Sequence, residues 1–265
     1  MPTFNESLER IQRASRHAQA FAKGISEFLT DAPYSIKPER RGENSGVIRL
    51  IPRKHPDREL PLLLGEFFYQ LRAALDAAMW EAFVQLGDTK KHPQIKVNRI
   101  YFPIYQHKKD FEKSVHHNIA LKPELRNWLA SIQPCNPEQR SAASEEEQIS
   151  TALSTINECS RKDRHRKLHL VGATVISSDA RIRVDPPARV KRVENIPADP
   201  FGGQYEIAEF EIEGANPNTQ LEFVGEFTIQ PSVNEIPNSV DLWAQLQRLT
   251  LASAKVITRF EEAFR

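Results

Sequence analysis

Arg72 and Asp76 stand four residues apart, the spacing that stacks two side chains on one face of a helix. A second group of ionisable residues closes a later helical stretch: Asp163, Arg164, His165, Arg166 and Lys167, followed by His169. Guanidinium groups stabilise phosphate-like charge, and carboxylates and imidazoles move protons. In that stretch Ile149, Ala152, Leu153, Ile156 and Cys159 form an apolar stripe. Continued at about 100° per residue, the stripe meets Asp163, then Arg166 and Lys167. Those charges turn toward the body of the protein, and His165 turns roughly the opposite way. Buried charges are rare unless paired, so Arg72 is expected to meet Asp163 and Asp76 to meet Arg166. Two readings of this network stand side by side. It is either an internal salt-bridge cluster that fixes how two helices dock, or a polar cleft that binds an anionic ligand or holds catalytic groups.

Arg164 and His169 make a second candidate pair, but a regular helix sets them about 140° apart. They share a site only if the helix ends near Lys167 or a second protomer completes it. A solvated basic end that stabilises the helix dipole is the simpler reading. His165 and His169 have a spacing that can chelate zinc, yet no third ligand is identifiable. His116-His117 reads as surface. Arg181, Arg183, Arg189, Lys191 and Arg192 flank an Asp185-Pro186-Pro187 turn and could contact RNA phosphate. Glu206, Glu209, Glu211, Glu213, Glu222 and Glu226 lie on candidate neighbouring strands, and cross-strand ion pairing accounts for both sets. No phosphate-binding glycine loop, nucleophile elbow or Cys/His metal ladder is present, so no cofactor and no metal is expected.

The elements that position these residues follow from periodicity. Asn5 caps a first helix carrying Leu8, Ile11, Ala18, Phe21, Ile25 and Phe28, and Pro33 ends it. Tyr34 to Ile36 and Val47 to Ile51 read as a hairpin around Gly42 to Gly46. Leu60 to Leu86 is apolar on almost every side and reads as a buried central helix, so its charges Glu66, Arg72, Asp76 and Glu81 are informative. Tyr101 to Tyr105 is extended, because Pro103 forbids a helix there. Short helices follow at about 110–117 and 122–132. Ser144 with Glu145, Glu146 and Glu147 starts a helix that is expected to run to about Leu170. After Val171 the period changes to two. Strands are predicted at 174–176, 180–184, 190–193, 205–212 and 221–229, with a bulge near Ala208 where the apolar phase switches. A final helix starts at Asn238 or Ser239 and runs to Arg265.

The 265 residues are 40% hydrophobic and 27% charged, with 36 Lys and Arg against 35 Asp and Glu, a net charge of +1. That balance argues against wholesale disorder and against a uniformly basic nucleic-acid binder. No run approaches the roughly 20 apolar residues that span a bilayer, and Glu6 charges the N-terminus too early for a secretory signal. Cys135 and Cys159 lack any metal or redox spacing and read as reduced thiols of a cytoplasmic protein.

Gly65 to Trp80 (GEFFYQLRAALDAAMW), Phe102 to Ile104 (FPI), Ile132 to Pro134 (IQP) and Lys162 to Val171 (KDRHRKLHLV) together resemble a family of uncharacterised bacterial proteins. The likeness covers roughly residues 5 to 175 in the same order. Its Arg-x4-His helix resembles, more distantly, the HEPN superfamily of helical ribonucleases and toxins. That resemblance implies metal-independent RNA cleavage, as in toxin or phage-defence systems, with RNA as the partner and a homodimer as the assembly. Carried over, Arg72 matches the arginine, Asp76 and Asp163 the two acids, and His165 with Arg166 the helix-end pair. Two positions depart: the histidine after Asp76 is Ala77 here, and the asparagine two before Asp163 is Arg161. With no imidazole at 77, acid–base work falls to His165 or His169.

The fold expected is α+β, a HEPN-like helical layer packed on an antiparallel sheet with a long C-terminal helix. It is read as one domain over 1–265: a helical part to about 170 with the hairpin at 34–51, a sheet part at about 171–230, and a helix over 238–265. The functional expectation is an RNA-directed ribonuclease using Arg72, Asp76, Asp163, His165, Arg166 and His169. Its alternative is a non-catalytic interaction or accessory protein in which the same cluster is structural. No membrane is involved in either.

Overall fold

The computed structural model describes residues 4–85, 100–118, 121–139, 141, 144–165, 170–196, 205–233 and 241–264, with backbone alone at 85, 114–118, 139, 163–165, 170–179 and 226–233. The class is α+β, as expected: a hairpin separates the first two helices, three more helices follow, then six strands and a closing helix. The contacts group the chain into two compact units. One comprises residues 1–21, 61–168 and 243–265, and the other 22–60 and 169–242.

The first unit is helical. It holds the start of α1 (Asn5–Thr30), nearly all of α2 (Glu59–Gln85), α3 (Lys108–Asn118), α4 (Pro123–Ser131), α5 (Glu145–His165) and α6 (Leu242–Phe264). The apolar residues of α2 are buried on several sides, among them Leu64, Phe67, Phe68, Leu71, Leu75, Met79 and Phe83. Phe260 of α6 packs edge-on to Phe4 at 6.4 Å and against Phe102 at 6.0 Å. The Ser144 hydroxyl accepts the Glu147 N–H at 3.1 Å, half of the capping box read from the sequence. Helix α5 is described as far as His165, and Leu170, expected at its end, belongs to a strand. The β-branched Val171, Thr174, Val175 and Ile176 favour a ladder over another helical turn there.

The second unit is built of strands. The hairpin β1 (Tyr34–Arg40) and β2 (Ser45–Pro52) joins β6 (Glu206–Glu213) and β5 (Arg189–Asn195) in an antiparallel sheet of order β1-β2-β6-β5. The hairpin therefore joins the late strands, as its small size requires. Gly46 stands opposite Phe210, whose ring occupies the space a Cβ would need. Between Ile48 and Arg49 the register shifts, so Ile207 is the extra residue next to Ala208. That is the predicted bulge, and it lets Ile207, Ala208, Phe210 and Ile212 all reach one core.

The stretch expected to form one strand over 221–229 is two. β7 (Leu221–Phe223) pairs with β4 (Ile182–Val184), and β8 (Glu226–Val233) pairs with β3 (Leu170–Asp179). Gly225 sits in the break, where the lack of a side chain weakens a strand interior. The register runs on across it, from Asp179 opposite Glu226 to Ile182 opposite Phe223. Strand β7 lies beside β1 and β4 beside β5. The six strands so surround Ile48, Leu50, Ile182, Ile207, Phe210 and Ile212. Tyr34 is packed into this core, and burial with the neighbouring Tyr205 pushes its phenol up to about 12.

Candidate functional site

Helix α2 presents Arg72 and Asp76 to the extended segment 100–105. The Arg72 guanidinium donates through Nη2 to Asp76 Oδ1 at 2.9 Å and through Nε to Oδ2 at 3.3 Å. The same Nη2 donates to the Phe102 carbonyl at 2.8 Å, and Asp76 Oδ1 accepts the Phe102 N–H at 2.8 Å. One residue's donor and acceptor are thus both met by an ion pair one helical turn long. An extended segment outside any sheet must find such partners when it is buried. Phe102 is buried among helices, and Pro103 has no N–H to offer a ladder.

Gln133 completes the grip from the other side. Its amide accepts the Tyr105 N–H at 3.1 Å and donates to the Pro103 and Leu129 carbonyls, each at 3.0 Å. The Cys135 N–H then donates to the Tyr105 carbonyl at 3.1 Å. The FPI and IQP segments and the Leu-Arg-x-x-Leu-Asp stretch of α2 therefore form one fixture. Sequence reasoning singled out all three and missed that they hold one another. The available signal was the Pro103 segment itself, whose backbone groups needed side-chain partners.

The cross-helix pairs expected for this site involve groups outside the described side chains. Asp163 and His165 are placed by backbone only, in the last turn of α5, and Arg166 and His169 lie outside the described residues. The histidine pair considered for zinc and the Arg164–His169 pair both include His169 and so lie in part outside the described residues. Among the described residues no cluster of histidine, cysteine and carboxylate can hold a metal. Cys159 is buried, Cys135 is half-buried, and both are thiols.

Arg72 and Asp76 also line a cleft of about 340 Å³ with Glu6 and Arg10 of α1, Tyr69, Ala73, Ala77 and Trp80 of α2, and Ser160 of α5. The Arg72 side chain is 12% exposed and that of Asp76 37%. Arg10 donates to Glu6 at 2.7 Å. Nearby, Glu81 Oε2 is buried without a hydrogen-bond partner. Burial, and then the charge of Glu6, hold its carboxyl above the ordinary value of 4.5. Arg72 Nη1 is likewise buried and unpartnered.

The basic residues near the Pro186-Pro187 turn are largely accounted for within the sheet unit. Arg183 pairs with Glu222 directly opposite it at 3.0 Å, and Lys191 with Glu211 at 3.4 Å. Arg192 pairs with Glu194 on its own strand at 2.5 Å. The first two are the cross-strand pairing expected from the glutamate-rich neighbours, whereas Arg192 pairs along its own strand. Among the described residues no helix is long and apolar enough to cross a membrane.

Compared with models of known families, with curated proteins and with solved structures, the chain matches none. The class defined by the described residues is an α+β protein whose helical unit carries a side-chain fixture around a buried extended segment.

Proposed function

We propose that this is a non-catalytic interaction or accessory protein, with Arg72 and Asp76 in a structural role. The observation that carries the reading is that Phe102 occupies both groups: its N–H is bound to Asp76 and its carbonyl to Arg72. An arginine that stabilises a transition state must aim its N–H groups at developing charge. Here Nη2 and Nε are spent on the protein, and Nη1 is buried. The missing imidazole at Ala77 removes the acid–base partner on the same helix.

The test is incubation of the purified protein with total RNA and a chelator, beside Arg72→Ala and Asp76→Ala. No cleavage by the parent is expected. Each variant leaves a backbone group of Phe102 and a charged partner unsatisfied, at a cost of about 2–3 kcal/mol. For a chain of this size that lowers the melting temperature by roughly 5–10 °C. Chelator-resistant cleavage by the parent that a folded Arg72→Ala lacks would overturn the reading.

The RNA-directed reading has one observation in its favour. Tyr69 and Trp80 are exposed beside Arg10 and Arg72 in one cleft, the ingredients of a base-stacking platform. In that reading Arg72, Asp163, His165 and Arg166 hold the substrate and His165 or His169 transfers the proton. Arg166→Ala in the same assay tests it: chelator-resistant cleavage by the parent that a folded Arg166→Ala lacks would favour it, and equal cleavage by both would sink it.

A further inference from the structure

We draw no further inference here: the strongest candidate, the exposed apolar face of α2 that carries Leu62, Tyr69, Trp80 and Val84, is an unpartnered helix surface, and nothing in the structure shows what covers it.

Discussion

Gln133 has no exposed surface, and its amide makes three hydrogen bonds to the backbone of Pro103, Tyr105 and Leu129. Only a carboxamide can accept from one and donate to the others. Gln133→Leu should therefore cost about 2–4 kcal/mol, because it strands one donor and two acceptors in a dry site. Gln133→Glu should be worse at neutral pH, since a carboxylate facing two carbonyls has nothing to donate. It should recover in part as acid protonates it. Thermal melts of both variants across pH check this, and a Gln133→Glu loss that does not change with pH would contradict it. Glu81 behaves oppositely to a salt-bridged acid. Its folded carboxyl sits above its ordinary 4.5, by burial first and Glu6 second. Its stabilising contribution is complete below that ordinary value and is lost as pH rises through the folded one. Glu81→Gln is thus expected to melt higher than the parent at about pH 7, with the gap closing near pH 4. An unchanged gap would count against it. At this scale the sequence exposed the important types but not their partners. Arg72 and Asp76 stood out as charges on a buried helix, one turn apart. Their contact with Phe102, thirty and twenty-six positions away, left no periodic trace.

Helix α1 stops where a local signal says it should, and the backbone there is strained. Ala32 has φ +46, in the left-handed region that follows many helix ends, and Pro33 prevents continuation. Alanine is an unusual occupant, since its Cβ crowds the following carbonyl in this region. Ala32→Gly relieves the crowding but frees the unfolded chain, so a net gain of about 0.5 kcal/mol is expected. A chemical denaturation midpoint reads it, and a loss of stability would show that the alanine methyl packs usefully. Other element boundaries were readable for equally local reasons. Ser144 caps α5, Pro123 starts α4, and the phase switch around Ala208 announced the bulge. The misread elements are those where locally sound patterns are overruled by pairing. Leu221 to Ile229 alternates as one strand would, yet β7 and β8 pair in different sheets with Gly225 between them. Leu170, expected at the end of α5, is recruited by Val233.

The α+β class was legible because each element keeps its own period, helical through α2 and α5 and alternating through β6. The grouping into two units was not, because it does not follow sequence order. The chain passes between units at 21–22, 60–61, 168–169 and 242–243, so neither is a contiguous piece. Each nevertheless has its own core, the α2-centred one with Phe67, Phe68, Leu71 and Phe260, and the strand-enclosed one with Ile48, Leu50 and Phe210. Opening one unit lengthens the loops that close the other, and loop entropy grows only about 0.6 kcal/mol per doubling of length. Core packing, which is local, should therefore outweigh connectivity, and the units should open separately. Arg72→Ala offers the test, since every contact it breaks lies in the helical unit. Hydrogen exchange should accelerate in α2, α4 and the 100–105 segment, by about tenfold for each 1.4 kcal/mol lost. The amides of β2 and β6 should keep their parental rates. Equal acceleration in both sets would mean that the 265 residues unfold as one cooperative body, and that the two cores are thermodynamically one.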